Sequence, residues 1–169
     1  MQFEWLYREL ETGAEMVRCL VRGVNQLEAQ TRPSVDAWSI LEVVCHLGDE
    51  ERLDFRTRLD ILLHRPQDKW PTIDPTGWVT AHHYQEQDLS EQLDQFLAER
   101  QRSLAWLRGL NAPNWENSAQ APFGLIKAGD IFSAWVAHDN LHIRQLVELR
   151  RARIETITAP YDIRYAGDW

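Results

Sequence analysis

The strongest chemical signal in the sequence is the segment at residues 137–142, Ala-His-Asp-Asn-Leu-His. Side chains four positions apart project from one face of an α-helix, so a helix here would bring His138 and His142 together. That geometry lets one helix give two imidazoles to a single metal ion. Because the same spacing is common among unrelated surface histidines, a metal site also needs a third ligand.

His46 is the candidate third ligand, in the segment Val-Cys-His-Leu-Gly-Asp-Glu at residues 44–50. Its helix face also carries Glu42, Asp49 and Glu50, and two interpretations of this face stay open. It is either a solvated acidic face, or a polar pocket in which the carboxylates support the ligands, complete the ligand set or act as a base. Glu50, one turn beyond His46, is the candidate catalytic residue.

Hydrophobic periodicity predicts four long helices as the elements that position these residues. Ser39 and Glu42 form the pattern of a capping box at the start of the second helix. The Pro-rich segment 65–87 fits no regular element, and no strand is predicted. The expected fold is an all-α four-helix bundle in one domain, 1–169, with a long connection between helices 2 and 3. The predicted helices span 2–28, 39–64, 88–108 and 128–151.

The charge balance restricts the classes of molecule that the protein is expected to bind. Lysine and arginine number 18 against 26 aspartate and glutamate residues, for a net charge of −8. This argues against a nucleic-acid binder and against a polybasic membrane patch. The sequence shows no membrane span and no signal peptide, and Cys19 and Cys45 are expected to be buried free thiols. We therefore expect a cytoplasmic protein with no nucleic-acid or membrane partner.

The aromatic residues divide between helices and irregular segments. Trp38 is expected to pack at a helix entry, and Trp135 in the core one turn before His138. The tryptophans in irregular segments are candidates for lining a pocket, because such segments often cover binding sites: Trp70, Trp78 and Trp169. The pair His82-His83 is expected to lie in a surface loop, and Gln145 to hydrogen-bond within the core.

Several segments resemble motifs of the DinB-like (YfiT-like) superfamily. The segment from Trp38 to Leu47, followed by Asp49 and Glu50, is similar to its first motif, and the segment from Trp135 to Gln145 to its second. Segments 84–88, 122–124 and 165–169 also resemble members of this group. The resemblance extends in order over nearly the whole chain.

The resemblance implies a four-helix bundle with a long crossover and a divalent metal held by His46, His138 and His142. Three imidazoles with an open position suit Zn²⁺, and Ni²⁺, Mn²⁺ or Fe²⁺ are compatible. Because relatives include transferases and an isomerase that use low-molecular-weight thiols, it implies a thiol-dependent transferase or a hydrolase acting on a small molecule. A homodimer is compatible with the resemblance. The alternative is a non-catalytic, stress-related bundle that binds a metal or another ligand.

Overall fold

The computed structural model describes residues 2–121 and 124–167. The chain is mostly helical, and its long helices form a four-helix bundle, as predicted. The second long helix is continuous from Ile40 to His64 and includes a π-helical segment at Glu50–Phe55. Its two α-helical parts are α3 and α4, and the whole is called the α3–α4 rod. The helices are α1 Phe3–Val21, α2 Gln26–Gln30, α3 Ile40–Asp49, α4 Arg56–His64, α5 Pro75–Ala81, α6 Leu89–Gly109 and α7 Ala128–Thr158.

Side-chain caps determine where two of the long helices begin. The Ser39 hydroxyl accepts a hydrogen bond from the backbone N–H of Glu42, and the Glu42 carboxylate accepts one from the Ser39 N–H. Asp88 caps α6 in a similar way, through the backbone N–H of Glu91. Both starts agree with the sequence patterns, because each cap supplies a partner for an otherwise unpaired amide of the first turn.

The structure corrects several boundaries. Helix α1 ends at Val21 rather than near residue 28, since Gly23 takes a positive φ of 77° and a capping box at Asn25 starts α2. The crossover expected to be irregular contains α5 and a 3-10 turn at Tyr84–Glu86.

The C-terminal half and the cysteines also differ from expectation. A two-stranded antiparallel hairpin, β1 Ser118–Ala121 with β2 Gly124–Lys127, forms where no strand was predicted. Helix α7 continues to Thr158, beyond the predicted end near residue 151. Both cysteines are free thiols, but Cys19 is exposed and only Cys45 is buried. No helix in the two described ranges is long and apolar enough to cross a membrane.

Among the long helices, α1 lies diagonally opposite the α3–α4 rod, and α6 lies diagonally opposite α7. Helix α1 packs against α6 and α7, and the α3–α4 rod packs against the same two helices. The segment between His64 and Leu89 crosses from the end of the rod to the start of α6. As a result, α3 and α7, which carry the predicted histidines, are direct neighbours.

A polar layer divides the interior of the bundle into two apolar clusters. One cluster includes Val17, Leu47, Phe96 and Leu146, and the other includes Leu10, Phe55, Leu104 and Trp135. The buried polar side chains of this layer are His46, Glu50, Glu51, Arg100, Ser103, Asp139 and His142.

Candidate metal centre

Three histidine side chains from two helices meet in the polar layer. Nε2 of His138 lies 3.3 Å from Nε2 of His46 and 3.1 Å from Nε2 of His142. His46 and His142 are buried and His138 is half-buried, and one nitrogen from each lies within 4.8 Å of the others. The fold therefore brings together all three histidines singled out in the sequence, and it places His46 in a pocket rather than on a solvated face.

The spacing of these nitrogens fits a divalent cation. Two imidazole nitrogens bound about 2.0–2.1 Å from a tetrahedral zinc ion lie roughly 3.3 Å apart, close to the two distances found here. Hydrogen bonds alone leave some nitrogens of the three imidazoles without a partner. His142 Nδ1 donates to Gln145 Oε1 at 2.8 Å, which leaves the His142 Nε2 lone pair facing the cluster. His138 Nε2 can make one linear hydrogen bond to its two neighbours, and His46 Nδ1 is buried without a partner.

The imidazoles are held in the neutral form that binds metals. Burial, followed by the proximity of the other two histidines, lowers the pKa of His46 to about 2. Burial, His142 and Arg100 lower the pKa of His138 to about 3. Burial also lowers the pKa of His142, although the hydrogen bond with Gln145 opposes this shift. Proton competition for the three nitrogens is consequently weak near neutral pH.

The carboxyl group of Glu50 lies on the outer side of the His46 ring. Glu50 Oε1 is 4.0 Å from His46 Nδ1, the nitrogen that points away from the other histidines. Burial and the neighbouring Asp54 raise the pKa of Glu50 to about 8, and Arg58, 2.7 Å from Asp54, opposes the shift. The π-helical segment carries both acids, and such bulges are frequent at functional sites. The position of Glu50 suits a residue that orients His46.

A second buried cluster lies beside the histidines and was missed from the sequence. Arg100 on α6 donates five hydrogen bonds: two to Glu51, two to Asp139 and one to the backbone oxygen of Leu10. All five N–H groups of the guanidinium are therefore paired. Trp135 Nε1 also donates to Glu51, at 2.9 Å. The position of Arg100 is the sequence signal that could have revealed this cluster, because Arg100 lies four residues from both Phe96 and Leu104 in an apolar stripe.

Comparison with known families agrees with this arrangement. The profile of the DinB superfamily matches residues 9–146, which include the three histidines and all four long helices in whole or in part. The chain belongs to the DinB superfamily. No match to this DinB-superfamily chain is found among curated proteins.

A solved structure supports the fold. YfiT from Bacillus subtilis is described as a probable metal-dependent hydrolase with an unusual four-helix bundle topology. It is 21% identical in sequence to this DinB-superfamily chain, and the alignment covers 89% of this chain and 86% of YfiT with a TM-score of 0.78. At this level of identity the likeness concerns the fold.

Other residues considered in the sequence of this DinB-superfamily protein lie away from the histidine nitrogens. Asp49 accepts hydrogen bonds from His82, Tyr84 and Arg52, so it attaches the crossover to α3. His82 is therefore half-buried against α3, whereas the neighbouring His83 is exposed, as expected of the pair. None of these three hydrogen bonds involves His46, His138 or His142.

Trp135 is buried in the core and Trp38 packs at the entry of α3, as expected. Trp38 contacts the site directly: its ring centroid is 4.8 Å from that of His46, and its plane is nearly parallel to His142 at 6.3 Å. Trp70 packs under the Arg58 guanidinium, and Trp78 stacks on His82. Trp169 lies outside the described residues, as do Pro122 and Phe123 of the family-like segment 122–124.

A cavity of about 420 Å³ borders the histidine cluster of this DinB-superfamily protein. One wall comes from the segment that precedes α3, and the other from α7. Its lining residues include Trp38 and His142, so a molecule in the cavity would lie against one of the three histidines. The residues that line it are Pro33, Asp36, Ala37, Trp38, His142, Gln145, Glu148 and Leu149.

Proposed function

We propose that the protein is a metal-dependent enzyme that acts on a small molecule, as a thiol-dependent transferase or a hydrolase. The observation that carries the proposal is the convergence of three neutral imidazole nitrogens at 3.1 and 3.3 Å, next to a cavity of about 420 Å³. His46, His138 and His142 would hold a divalent metal, with zinc favoured by three nitrogen ligands. Membership of the DinB superfamily and the fold shared with YfiT, a probable metal-dependent hydrolase, support this proposal.

A divalent cation at this site would supply Lewis acidity, which favours the anionic form of a bound thiol or water near neutral pH. The chain's own residues prepare the site for that chemistry. Gln145 Oε1 accepts a hydrogen bond from Nδ1–H of His142, which leaves the Nε2 lone pair directed toward the cluster. Glu50 would orient His46 from the Nδ1 side in the same way. We place Glu50 as a positioning residue rather than as a base at the substrate.

Aromatic side chains would limit the access of bulk water to the three nitrogens. Trp38 packs on His46 and His142, and the Phe55 ring lies 5.0 Å from that of His138. A less polar surrounding strengthens electrostatic interactions with a substrate in the adjoining cavity. Thiol transfer is placed ahead of hydrolysis because a polarisable thiolate is the stronger nucleophile at neutral pH.

The non-catalytic alternative would be favoured if a carboxylate closed the ligand set. Asp49 is bound by three donors on another face of α3, and Glu50 lies beside Nδ1 of His46 rather than beside the three Nε2 atoms. Three protein ligands without a fourth are typical of catalytic zinc sites. This arrangement supports the enzyme over the purely structural metal site.

The proposal is tested with zinc-loaded protein, 2-mercaptoethanol and the electrophile 1-chloro-2,4-dinitrobenzene, and separately with p-nitrophenyl acetate as an ester. We expect thioether formation or ester hydrolysis above the uncatalysed rate, lost after chelation and restored by zinc. The triple variant with His46, His138 and His142 changed to alanine is the control. Activity that persists in thoroughly chelated protein would contradict the mechanism, and no activity with either substrate class would favour the non-catalytic alternative.

A further inference from the structure

The cavity beside His142 has a charge pattern of its own. Asp36 lies on the wall that precedes α3, and Glu148 on the wall formed by α7. Among the described residues that line the cavity, none is a lysine or an arginine. The walls therefore carry two formal negative charges and no basic side chain.

Glu148 is only weakly engaged by the arginine that pairs with it. Arg144 Nε is 3.3 Å from Glu148 Oε1, but the two side chains are 71% and 48% exposed. Ion pairs between such exposed side chains contribute about 0–1 kcal/mol, because water competes well for both charges. A cation inside the cavity would therefore meet a carboxylate that is only weakly engaged.

The apolar part of the lining also favours a cation. Trp38 contributes aromatic surface to the cavity, together with the apolar residues Pro33, Ala37 and Leu149. The face of an indole ring attracts positively charged groups through its quadrupole, and tryptophan is the strongest of the aromatic side chains in this respect. An aromatic surface flanked by carboxylates suits an ammonium group better than a neutral or anionic one.

The histidine end of the cavity has the opposite preference. His142 belongs to the three-imidazole cluster, which is neutral and would carry a net positive charge with a divalent cation bound. An electron-rich reacting group would be favoured there, and a positive group would be favoured near Asp36 and Glu148. A carboxylate at the second position would be repelled by both acidic residues.

We infer that the substrate class of this site is small molecules with a cationic group, such as an ammonium, which binds against Trp38 between Asp36 and Glu148. This inference rests on the proposed function, since it assigns to the cavity the substrate of the histidine cluster. It makes Asp36, Trp38 and Glu148 residues that determine specificity and leaves the metal to His46, His138 and His142.

The test uses two probes of the same shape, benzylammonium and benzyl alcohol, with the full-length zinc-loaded protein. Zinc content is first measured by elemental analysis, and probe binding is then followed by NMR titration. We expect benzylammonium to bind about tenfold more tightly than benzyl alcohol, a preference in the range of one cation–π contact plus two weak ion pairs. Raising the salt concentration should reduce the preference.

Two double variants separate local charge from net charge. Asp36→Asn with Glu148→Gln should bind the two probes about equally and should keep its zinc. Asp68→Asn with Glu155→Gln removes the same number of charges at positions that do not line the cavity, and should keep the wild-type preference. Trp38→Leu should weaken benzylammonium more than benzyl alcohol.

The outcomes distinguish this inference from the proposed function. Equal affinity for the two probes in wild-type protein that holds zinc would overturn the inference and leave the metal site intact. A preference retained by the Asp36–Glu148 double variant would overturn it as well. A preference for benzylammonium in protein that binds no zinc would support a cation-binding cavity and contradict the proposed metal enzyme.

Discussion

The guanidinium of Arg100 pairs with the carboxylate of Asp139, the residue that follows His138 on α7, through hydrogen bonds of 2.6 and 2.9 Å. Both side chains are almost fully buried. The same guanidinium binds Glu51 on the π-helical segment, one residue after Glu50. The helix that carries two of the histidines is thereby attached to α6 and to the α3–α4 rod at the level of the candidate site.

Replacing Arg100 should strongly destabilise the protein. Arg100→Met leaves the carboxylates of Glu51 and Asp139 buried without their cation, and breaking a buried pair in this way costs about 3–5 kcal/mol. Urea denaturation would measure the loss. Arg102→Met is the matched control on the same helix, because Arg102 is 68% exposed and its loss should cost less than about 1 kcal/mol. Equal stabilities for the two variants would contradict a structural role for the buried cluster.

Gly13 permits the close approach of α1 to this cluster. A Cβ atom at Gly13 would lie 2.6 Å from Asp139 Oδ2, which Arg100 holds in place. Gly13→Ala should therefore destabilise the protein by about 1–3 kcal/mol, despite the higher helix propensity of alanine. Gly109→Ala is the control, since among the described residues a Cβ there meets no atom within 4 Å beyond its own helix backbone and chain neighbours. A thermal denaturation midpoint for Gly13→Ala as high as that of Gly109→Ala would disprove the steric argument.

The helical framework could be predicted because its signals are local. The capping pattern at Ser39 and Glu42 lies within four residues, and α3 begins where it indicates. Apolar spacing predicted a helix over 88–108, and α6 begins at Leu89. The histidine pair of α7 could also be found, because helical spacing alone brings His138 next to His142. For His46, local periodicity left a solvated face and a buried pocket open, and packing of α3 against α7 decided for the pocket.

The polar layer could not be predicted because its partners are distant in sequence. Arg100 is separated from Glu51 by 49 residues and from Asp139 by 39, so no local pattern pairs them. Taken one at a time, each charged residue conflicts with the hydrophobic periodicity of its helix: Arg100 lies in an apolar stripe, and Asp139 lies between two inward-facing histidines. In the folded protein each satisfies the other. Helix α5 could not be predicted for a different reason. Its seven residues begin at Pro75 and none of them is buried, so the sequence has no apolar periodicity there to indicate a helix.

Removing the three imidazoles should abolish metal binding. Wild-type protein is expected to retain about one zinc ion per chain after dialysis, since three ligands converge on one site. The variant His46→Ala, His138→Ala, His142→Ala should retain none by elemental analysis. Zinc at a hundred times its Kd should also stabilise the wild-type protein by about 2.7 kcal/mol and leave the variant unchanged. Equal zinc content in the two proteins would rule out the site.

Glu50 is expected to act on metal affinity through His46. Glu50→Ala removes the only carboxylate described beside His46 Nδ1, and loss of such a partner typically weakens metal binding 10–100-fold. Glu50→Gln keeps an oxygen that could accept a hydrogen bond from Nδ1–H if the two side chains approach when the metal binds, and it should recover most of the affinity. Calorimetric titration with zinc would measure both. If the amide variant binds zinc as weakly as the alanine variant, Glu50 acts through its charge rather than by orienting the ring.

The metal-free protein should lose stability in acid because of the same histidines. Their pKa values are lowered in the folded state, to about 2 for His46 and about 3 for His138, from an ordinary value of 6.5. Below pH 6.5 the unfolded chain binds protons that the folded chain excludes, so each histidine reduces the free energy of unfolding by about 1.4 kcal/mol per pH unit. Above pH 6.5 both states are neutral at these positions and the contribution is constant. Urea denaturation of metal-free protein at pH 7, 6 and 5 should therefore show a steeper decline for the wild type than for the triple alanine variant. Parallel declines would mean that the three imidazoles accept protons in the folded state as easily as in the unfolded chain.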